Sequence, residues 1–222
     1  MTGKLIVFEG LDASGKRTQC ELLIKRLKKN GYNIVLFDFP IYDSFYGSLV
    51  GKYLKGEFKE LSPYIASLLF ALDRADIKDK IINNLKDNKI VIINRYVASN
   101  KAFQSVRLKD KKERIALIKW VEELEYSKNN LPKEDFVIYL DVPTNIATKL
   151  QDKKGYRSYM GNNEKDIHER NIKYLKEVEN VYFELLKDKK WFKVECVKNN
   201  KLLSTEEISE KVWGVVKSKL IN

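Results

Sequence analysis

A glycine-rich stretch, Gly10–Thr18, constrains this sequence more than any other feature. It follows the apolar run Leu5–Phe8 and precedes a long amphipathic segment, which is the context of the phosphate-binding pattern G-x-x-x-x-G-K. Gly10 and Gly15 allow backbone angles that turn successive N–H groups toward a phosphate. The helix that begins near Lys16 adds the positive end of its dipole, and the lysine adds a full charge. The stretch therefore predicts a phosphate site.

One position of this loop departs from the pattern. The residue after the lysine is usually Ser or Thr, whose hydroxyl holds Mg²⁺, but here it is Arg17. Thr18 follows it, and we expect its side chain to face another way. The loop therefore predicts phosphate binding without the usual hydroxyl ligand for the metal.

Composition limits the class of protein. The 222 residues, 44 % of them apolar, suffice for one α/β domain, 1–222, with a sizeable core. No run reaches the ~18 apolar residues of a membrane helix, and the N-terminus lacks a signal-peptide pattern. Cys20 and Cys196 are too few for a disulfide framework or a cysteine metal site. We therefore expect a soluble, cytoplasmic protein with no membrane partner.

The net charge of +11 would also suit a nucleic-acid partner. However, the 34 lysines are interleaved with Asp and Glu, the arginines number only 8, and no basic stripe carries interleaved aromatic residues. Small phosphate-bearing molecules explain a positive site equally well. We therefore expect no nucleic-acid partner.

Strand-like and helical segments alternate along the chain, which predicts a three-layer α/β fold with a parallel sheet and helices on both faces. The five predicted strands are Lys4–Phe8, Asn33–Phe37, Ile90–Ile93, Phe136–Leu140 and Trp191–Val197. The predicted helices cover 16–29, 45–55, 62–86, 99–126, a segment that begins at 141–143, about 165–187, and a last helix after the capping box at Ser204. The charged run 109–114 indicates a solvated face or a helix break. Residues 151–163 lack apolar periodicity and contain two glycines, which predicts a mobile loop.

The carboxyl ends of parallel strands form the edge at which ligands bind. The segments expected at this edge are Gly10–Arg17, Asp38–Tyr42, Asn94–Gln104 and Asp141. Four of the scarce arginines fall on these segments, on the neighbouring helix or in the predicted loop: Arg17, Arg74, Arg95 and Arg157. A guanidinium binds phosphate oxygens through two parallel bonds. Each arginine taken singly fits an ordinary surface residue, but together they favour two phosphate groups.

These motifs resemble those of the thymidylate kinases. The matching residues are Phe8–Asp12, Gly15-Lys16, Thr18-Gln19, Phe39-Pro40, Leu69–Ala71 with Arg74, Arg95-Tyr96 with Ser99, Asn100 and Gln104, Tyr139–Val142, Asp166–Arg170 and Tyr174-Leu175. They cover essentially the whole chain in the right order. The glycine loop alone indicates only a phosphate-loop protein, whereas Phe-x-x-x-Arg together with Arg-Tyr-x-x-Ser is much more specific.

The resemblance implies a P-loop NTPase fold with a short lid at about 151–164, acting as a homodimer. It implies the reaction ATP + dTMP → ADP + dTDP, with Mg²⁺ bound mainly through the ATP phosphates. The residues implied to hold the ATP phosphates are Gly10, Ala13, Ser14, Gly15, Lys16, Arg17 and Thr18. Those implied to bind dTMP are Asp12, Phe39, Pro40, Phe70, Arg74, Arg95, Ser99, Asn100 and Gln104. The implied catalytic residues are Asp12, Lys16, Arg95 and Arg157.

Individual roles follow from the same resemblance. Phe70 is implied to stack on thymine, Arg74 to bind the base or the acceptor phosphate, and Arg95 to bind that phosphate. Helical spacing also fits Phe70 as a core residue. His168 has no partner that would make it a metal ligand, and Asp141 is expected to end its strand and cap the next helix.

Three positions depart from the family pattern. Arg17 replaces the metal-holding hydroxyl, Asn94 stands where Asp usually precedes Arg-Tyr, and Leu150 where an arginine often flanks adenine. Two alternatives to a working thymidylate kinase therefore remain, a nucleotide-binding sensor with little turnover and a kinase for another pyrimidine monophosphate.

The charge that stabilises phosphoryl transfer has more than one candidate source. Many thymidylate kinases carry an arginine in the glycine loop, where this chain has Ala13, and others supply it from the lid. We expect Arg157 to fill this role, with Arg170 positioning the lid and Arg17 as the alternative donor.

Overall fold

Five parallel strands form the central sheet of the computed structural model, which describes residues 3–154 and 172–220. Their bounds are β1 Lys4–Glu9, β2 Ile34–Asp38, β3 Ile90–Asn94, β4 Phe136–Asp141 and β5 Trp191–Glu195. The strands lie in the order β2-β3-β1-β4-β5, so that the chain leaves β1 toward one edge and later returns to its other side. The predicted α/β fold with a five-stranded parallel sheet is confirmed. Its order places a crevice at the carboxyl ends of β1 and β3, where the strand order reverses.

Helices cover both faces of this sheet. Their bounds are α1 Lys16–Lys29, α2 Phe45–Leu54, α3 Pro63–Asp76, α4 Lys78–Lys86, α5 Val97–Ser105, α6 Lys111–Glu122, α7 Thr144–Lys154, α8 Ile172–Leu185 and α9 Thr205–Leu220. A π-helical turn, Glu123–Lys128, continues α6. Within the described part of the chain, each helix is too short or too polar to cross a bilayer.

Alternate residues of the strands enter two separate apolar cores. On β1, Ile6 and Phe8 pack into a core with residues of α1, α8 and α9, whereas Leu5 and Val7 enter a core with residues of α4 and α6. Side chains of a strand alternate between the two faces of the sheet, so a strand covered on both faces must be apolar throughout. The continuous apolar run of β1 is therefore typical of a central strand that is buried on both faces.

The predicted helix 62–86 is interrupted at Ile77. The interruption separates α3, which packs against α2, from α4, whose Ile81 and Leu85 are buried against the sheet. Neither Pro nor Gly occurs at this position, so the sequence did not indicate the break. The two helices pack against different surfaces, α3 against α2 and α4 against the sheet.

The predicted helical region 99–126 is also divided. It ends as α5 at Ser105 and resumes as α6, whose N-cap is Asp110. The Asp110 carboxylate accepts hydrogen bonds from the N–H groups of Lys112 and Glu113, at 2.8 and 3.0 Å. The charged run 109–114 is therefore a helix start, as the helix-break interpretation requires.

Two boundaries near the C-terminal half differ from the prediction. The loop predicted at 151–163 is wrong for residues 151–154, where α7 continues, and its remainder lies outside the described residues. Arg157, which we expected on a lid, also lies outside them, as do Arg170, His168 and the start of the predicted helix 165–187. The strand predicted to reach Val197 ends at Glu195 and is followed by a small hairpin, β6 Val197–Lys198 and β7 Lys201–Leu202. Asn199 and Asn200 form its turn with φ angles of 50° and 58°, values that asparagine tolerates well.

Asp141 ends its strand as expected, but its carboxylate has a different partner from the one predicted. It forms an ion pair with Lys193 on the neighbouring strand, at 3.2 Å. The N–H of Thr144, at the start of α7, donates instead to Glu179 of α8 at 3.2 Å. A carboxylate that is distant in sequence therefore binds the start of α7.

Candidate active site

A cavity of about 540 Å³ opens beside the carboxyl ends of β1, β2 and β3. It brings together most of the residues singled out in the sequence: Asp12, Ala13, Gly15, Lys16, Arg17, Thr18, Phe39, Pro40, Phe70, Arg74, Arg95, Ser99, Asn100 and Gln104. Gly10 and Ser14 belong to the glycine loop but do not line the cavity. One continuous space therefore connects the glycine loop with the side chains of α3 and α5.

Local backbone geometry shapes the glycine loop. Gly10 has φ 145°, and a Cβ atom there would lie 2.9 Å from the carbonyl oxygen of Leu140. Ala13 and Gly15 also have positive φ angles, of 60° and 85°. The requirement for glycine at position 10 is therefore both conformational and steric.

The ammonium group of Lys16 lies inside the curve of this loop. Its Nζ donates to the carbonyl oxygens of Leu11 and Gly10, at 2.7 and 3.1 Å, and to Ser14 Oγ at 3.3 Å. The residue is 6 % exposed. A buried cation held by several loop oxygens is a positive centre that a phosphate group can approach.

Arg95 stands between the glycine loop and α5. Its backbone lies in the left-handed region, with φ 63°, and its N–H donates to Phe8 O at 3.0 Å. The guanidinium forms an ion pair with Asp12, donates to Ser99 Oγ at 3.2 Å and lies over the Phe103 ring. Burial lowers the pKa of Arg95, but the charge of Asp12 raises it further, so the pKa lies above its ordinary value. This cation is permanent and held from several sides.

Glu9 fixes the start of α5 behind Arg95. Its fully buried carboxylate accepts from the N–H groups of Tyr96 and Ser99, from Ser99 Oγ at 2.6 Å and from the Tyr182 hydroxyl at 2.8 Å. Burial first, and then the charge of Glu9, raise the pKa of Tyr182 well above its usual range. The sequence prediction missed Glu9 as a positioning residue, although it lies within the matched motif.

Arg74 makes a buried bidentate ion pair that the sequence prediction also missed. Its Nε and Nη2 donate to the two oxygens of Glu125 at 2.6 and 2.5 Å, and the two side chains are 3 % and 0 % exposed. Burial lowers the pKa of Arg74, but Glu125 raises it more, so the net direction is upward. Glu125 follows Leu117 and Val121 at helical spacing, where a core residue is expected. A carboxylate in that register was the available signal.

The same carboxylate orients Asn100. The Nδ2 group of Asn100 donates to Glu125 Oε1 and to Ser67 O, both at 3.0 Å. Its Oδ1 has no hydrogen-bond partner among the residues that the structure describes, and the residue is 3 % exposed. Asn100 therefore presents an acceptor, because both of its donor positions are used.

Gln104 is oriented by a second arginine. Its Oε1 accepts from Arg107 Nη1 at 3.0 Å, and that guanidinium also binds the Tyr53 hydroxyl at 2.9 Å and Leu61 O. The amide oxygen of Gln104 is thereby committed to Arg107.

Asp73 holds the loop that follows β2. Its Oδ2 accepts from the N–H of Ile41 at 3.0 Å and its Oδ1 from Ser44 Oγ at 3.1 Å. Burial raises the pKa of Asp73. A Cβ at Gly47 would lie 1.9 Å from Ile41 O, so this loop, which includes Phe39, packs directly against α2.

Phe70 combines the two interpretations made from the sequence. It is half-buried against the small α2–α3 core, with its ring 6.1 Å from that of Tyr53 at 87°. It also lines the cavity. The Phe70 ring can therefore pack in the small core and also contact a ligand in the cavity.

Arg17 points toward β2 rather than across the glycine loop. Its Nη1 donates to Asp38 Oδ2 at 2.7 Å and its Nε to Glu21 Oε1 at 3.1 Å. The hydrogen bond that Arg17 donates to Glu21 and the negative charge of Asp38 raise the pKa of Arg17. Asp38 also accepts from Asn94 Nδ2 at 2.7 Å. Two of the three departures from the family pattern therefore meet at one carboxylate.

Comparison with known proteins identifies the family. The thymidylate kinase family model matches residues 8–208. The chain belongs to this family. The family consists of ATP-dependent nucleoside monophosphate kinases, which are transferases of nucleotide biosynthesis.

Individual relatives support this assignment. The thymidylate kinase of Mycobacterium tuberculosis is 33 % identical over 184 residues, which cover 82 % of this chain and 85 % of the relative. The thymidylate kinase of Plasmodium falciparum is 32 % identical over 214 residues, covering 91 % and 97 %. A solved structure of the Candida albicans thymidylate kinase aligns with a TM-score of 0.77 at 23 % identity, covering 98 % of this chain and 92 % of that one. This structural similarity supports the fold.

Proposed function

We propose that this protein transfers the γ-phosphoryl group of ATP to dTMP, giving ADP and dTDP. The observation that carries the proposal is the single cavity that joins a phosphate loop to a pocket of α3 and α5 side chains, with Arg95 between them. Phosphoryl transfer needs two anionic groups held in line with their charge neutralised, and little covalent chemistry. Lys16 and the loop amides would hold the donor phosphates, and Arg95 the acceptor phosphate.

The polarity of the pocket favours thymine or uracil over cytosine. Thymine presents an N3–H donor between two carbonyl acceptors, whereas cytosine presents an acceptor at N3 and an amino group at C4. Asn100 offers Oδ1 as an acceptor, because Glu125 and Ser67 use its amino group. Arg74 has five N–H donors, and Glu125 takes two of them. We propose that Asn100 accepts from N3–H and that Arg74 donates to a carbonyl, with Phe70 stacked on the ring and Gln104 and Phe39–Pro40 enclosing the nucleoside.

Arg95 would form a preorganised site for the acceptor phosphate. Arg95 is held by Asp12, Ser99 and the Phe103 ring, so it loses little conformational freedom when it binds an anion. Asp12 would lie near the acceptor's sugar and phosphate. Charge-assisted hydrogen bonds of this kind contribute about 1.5–3 kcal/mol each.

The oxygen ligands beside the phosphate loop fit Mg²⁺. The carboxylates of Asp12 and Asp38 line the cavity, and the buried Asn94 Oδ1 has no hydrogen-bond partner in the described part of the chain. Mg²⁺ prefers oxygen ligands, keeps several waters and binds largely through substrate phosphates. We propose that the ion would be held mainly through the ATP phosphates, beside these oxygen atoms, and that it would neutralise charge on those phosphates.

A homodimer is part of the proposal, and α3 is its proposed surface. Tyr64, Ile65 and Leu68 lie on α3 and are 37 %, 50 % and 36 % exposed, and Ile115 of α6 is 46 % exposed. The Tyr64 ring packs against Trp120 of α6, so these apolar residues belong to neighbouring helices. Contiguous exposed apolar residues are typical of protein interfaces.

The proposal also covers the whole chain, 1–222, as one kinase domain with a lid at about 151–164, acting in the cytoplasm. Both cysteines, Cys20 and Cys196, are buried free thiols, which fits a reducing compartment. Arg157, on the proposed lid, would supply the charge that stabilises transfer, and Arg170 would position the lid.

A coupled ADP-release assay with dTMP, dUMP, UMP, CMP and GMP tests this function. We expect turnover with dTMP and little with CMP or GMP. ATP and dTMP binding by calorimetry without turnover would contradict the proposal and indicate a nucleotide sensor. A preference for CMP or UMP would contradict the assignment of the acceptor base or sugar.

A further inference from the structure

Three carboxylates of the described residues line the cavity, those of Asp12, Asp38 and Asp43. The surroundings of Asp38 differ from those of the other two. Asp38 is the last residue of β2 and pairs in register with Asn94, the last residue of β3. Asp12 forms an ion pair with Arg95, which is itself largely buried, whereas Asp43 is an exposed residue. Asp38 instead binds one buried amide and one exposed guanidinium.

The buried amide fixes one side of Asp38. Asn94 Nδ2 donates to Asp38 Oδ1 at 2.7 Å, which orients the Asn94 side chain. Its Oδ1 is thereby directed away from Asp38, and it has no hydrogen-bond partner among the described residues although Asn94 is only 8 % exposed. A buried carbonyl oxygen without a donor is costly unless a ligand or a hydrated ion satisfies it. Asp38 and Asn94 therefore offer two adjacent types of oxygen that a hard cation prefers.

The guanidinium on the other side is exchangeable. Arg17 Nη1 lies 2.7 Å from Asp38 Oδ2, and the Arg17 side chain is 68 % exposed. An ion pair of such exposure contributes little and is screened by salt. Arg17 also directly follows Lys16 in the phosphate loop and lines the cavity, so nucleotide phosphates would compete with Asp38 for it.

We propose that Asp38 is the carboxylate that faces the divalent cation bound to the nucleotide, and that Arg17 is its exchangeable counter-ion. In the free protein Arg17 neutralises Asp38. With the nucleotide and its cation bound, the Arg17 guanidinium would bind the phosphates, and Asp38, which Asn94 holds in position, would face the cation. This inference rests on the proposed function and adds one assignment to it, the residue that faces the metal.

Binding of Mn²⁺, followed by electron paramagnetic resonance of the free ion, tests the proposal without turnover. Asp38→Asn should weaken Mn²⁺ binding to the protein–ATP complex about tenfold. Arg17→Ala should have two opposite effects. It should tighten the binding of Mn²⁺ alone about fivefold, because a competing charge is lost, and weaken the binding of ATP in EDTA. A purely structural Arg17–Asp38 pair would not give opposite changes.

Two matched variants control for general effects of charge. Asp43→Asn removes another carboxylate at the cavity, and Glu21→Gln removes the second partner of Arg17. Both should leave Mn²⁺ affinity in the ATP complex unchanged, and circular dichroism should show all variants folded. Unchanged Mn²⁺ affinity in Asp38→Asn, or an equal loss in Asp43→Asn, would overturn the proposal.

The two proposals fail separately. If the protein phosphorylates dTMP while Asp38→Asn keeps its cation affinity, the metal-facing assignment is wrong and the proposed function stands. If Mn²⁺–ATP binding depends on Asp38 but no monophosphate is phosphorylated, the proposed function is wrong.

Discussion

The two halves of the cavity are built in different ways. The phosphate half is one continuous loop whose shape depends on backbone angles at Gly10 and Gly15, and whose lysine is held by carbonyls within six residues of it. The other half, formed by side chains of α3 and α5, is the proposed pyrimidine pocket and is called the pyrimidine half below. It depends on side chains far apart in sequence, since Arg74 and Glu125 are separated by 51 positions. In the proposed function the loop would bind phosphate largely through its main chain, whereas the specificity of the pocket would depend on its buried side-chain network. The two halves should therefore respond differently to substitution.

The largest effect should come from breaking the buried pair in the pyrimidine half. Glu125→Ala leaves the Arg74 guanidinium buried without its partner, which should lower the free energy of unfolding by about 3–5 kcal/mol. Urea unfolding measures this change. Glu122→Ala is the control, because its ion pair with Lys101 involves a carboxylate that is 49 % exposed, and it should cost at most about 1 kcal/mol. Similar losses in the two variants would show that the Arg74 pair has no special role.

Arg157, on the proposed lid, tests whether a residue outside the two halves of the cavity contributes to phosphoryl transfer. If Arg157 neutralises charge during transfer, Arg157→Ala should lower kcat at least ~10²-fold and leave dTMP affinity nearly unchanged. Single-turnover kinetics with calorimetric dTMP titration separate the two quantities. Should Arg17→Ala show this pattern instead, the charge comes from the phosphate loop.

Arg95 joins the two halves, so its loss should impair both binding and turnover. If Arg95 binds the acceptor phosphate as proposed, Arg95→Ala removes charge-assisted bonds worth about 1.5–3 kcal/mol each. The KM for dTMP should rise and kcat should fall, as steady-state kinetics would show. Arg95→Lys keeps the charge and should recover only part of the loss, because lysine lacks the planar fork. Unchanged dTMP kinetics would remove Arg95 from the site.

The phosphate half should be sensitive at its backbone. Gly10→Ala places a Cβ 2.9 Å from Leu140 O at a φ of 145°, and strain of about 1–3 kcal/mol is expected. ATP affinity should fall while thymidine affinity is retained, which calorimetry of each ligand measures. A variant that binds ATP normally would show that the loop tolerates the change.

The smallest effect should distinguish the two roles of Phe70. The ring is half-buried, so Phe70→Ala should cost less than the ~3–5 kcal/mol of a fully buried phenylalanine. If the ring stacks on the base, dTMP affinity should fall more, in free-energy terms, than stability does. Thermal melts beside dTMP titrations measure both, and Phe70→Leu keeps the packing as a control. Loss of the fold would contradict the ligand role.

The sequence by itself determined the features that depend on neighbouring residues. The sequence predicted the strand, glycine loop and helix at the start of the chain, all five strands of the sheet, and the helix cap at Ser204. The Ser204–Glu207 capping box forms as predicted, with bonds of 2.8 and 3.1 Å. Backbone angles, helix capping and apolar periodicity depend on residues close together in the sequence, so a single sequence is enough to predict them.

Only the tertiary structure decided which distant side chains became partners. Glu125 is an acidic residue in an apolar register until the fold brings it to Arg74 and Asn100. The partners of Asp38 are likewise set by the fold, because Arg17 lies on α1 and Asn94 on β3. The break at Ile77 arises in the same way, because two packing surfaces compete for one helical segment. A local pattern can mark one member of a long-range pair, as the apolar register marks Glu125, but it does not identify the partner. The partner appears only once the sheet has brought the two segments together.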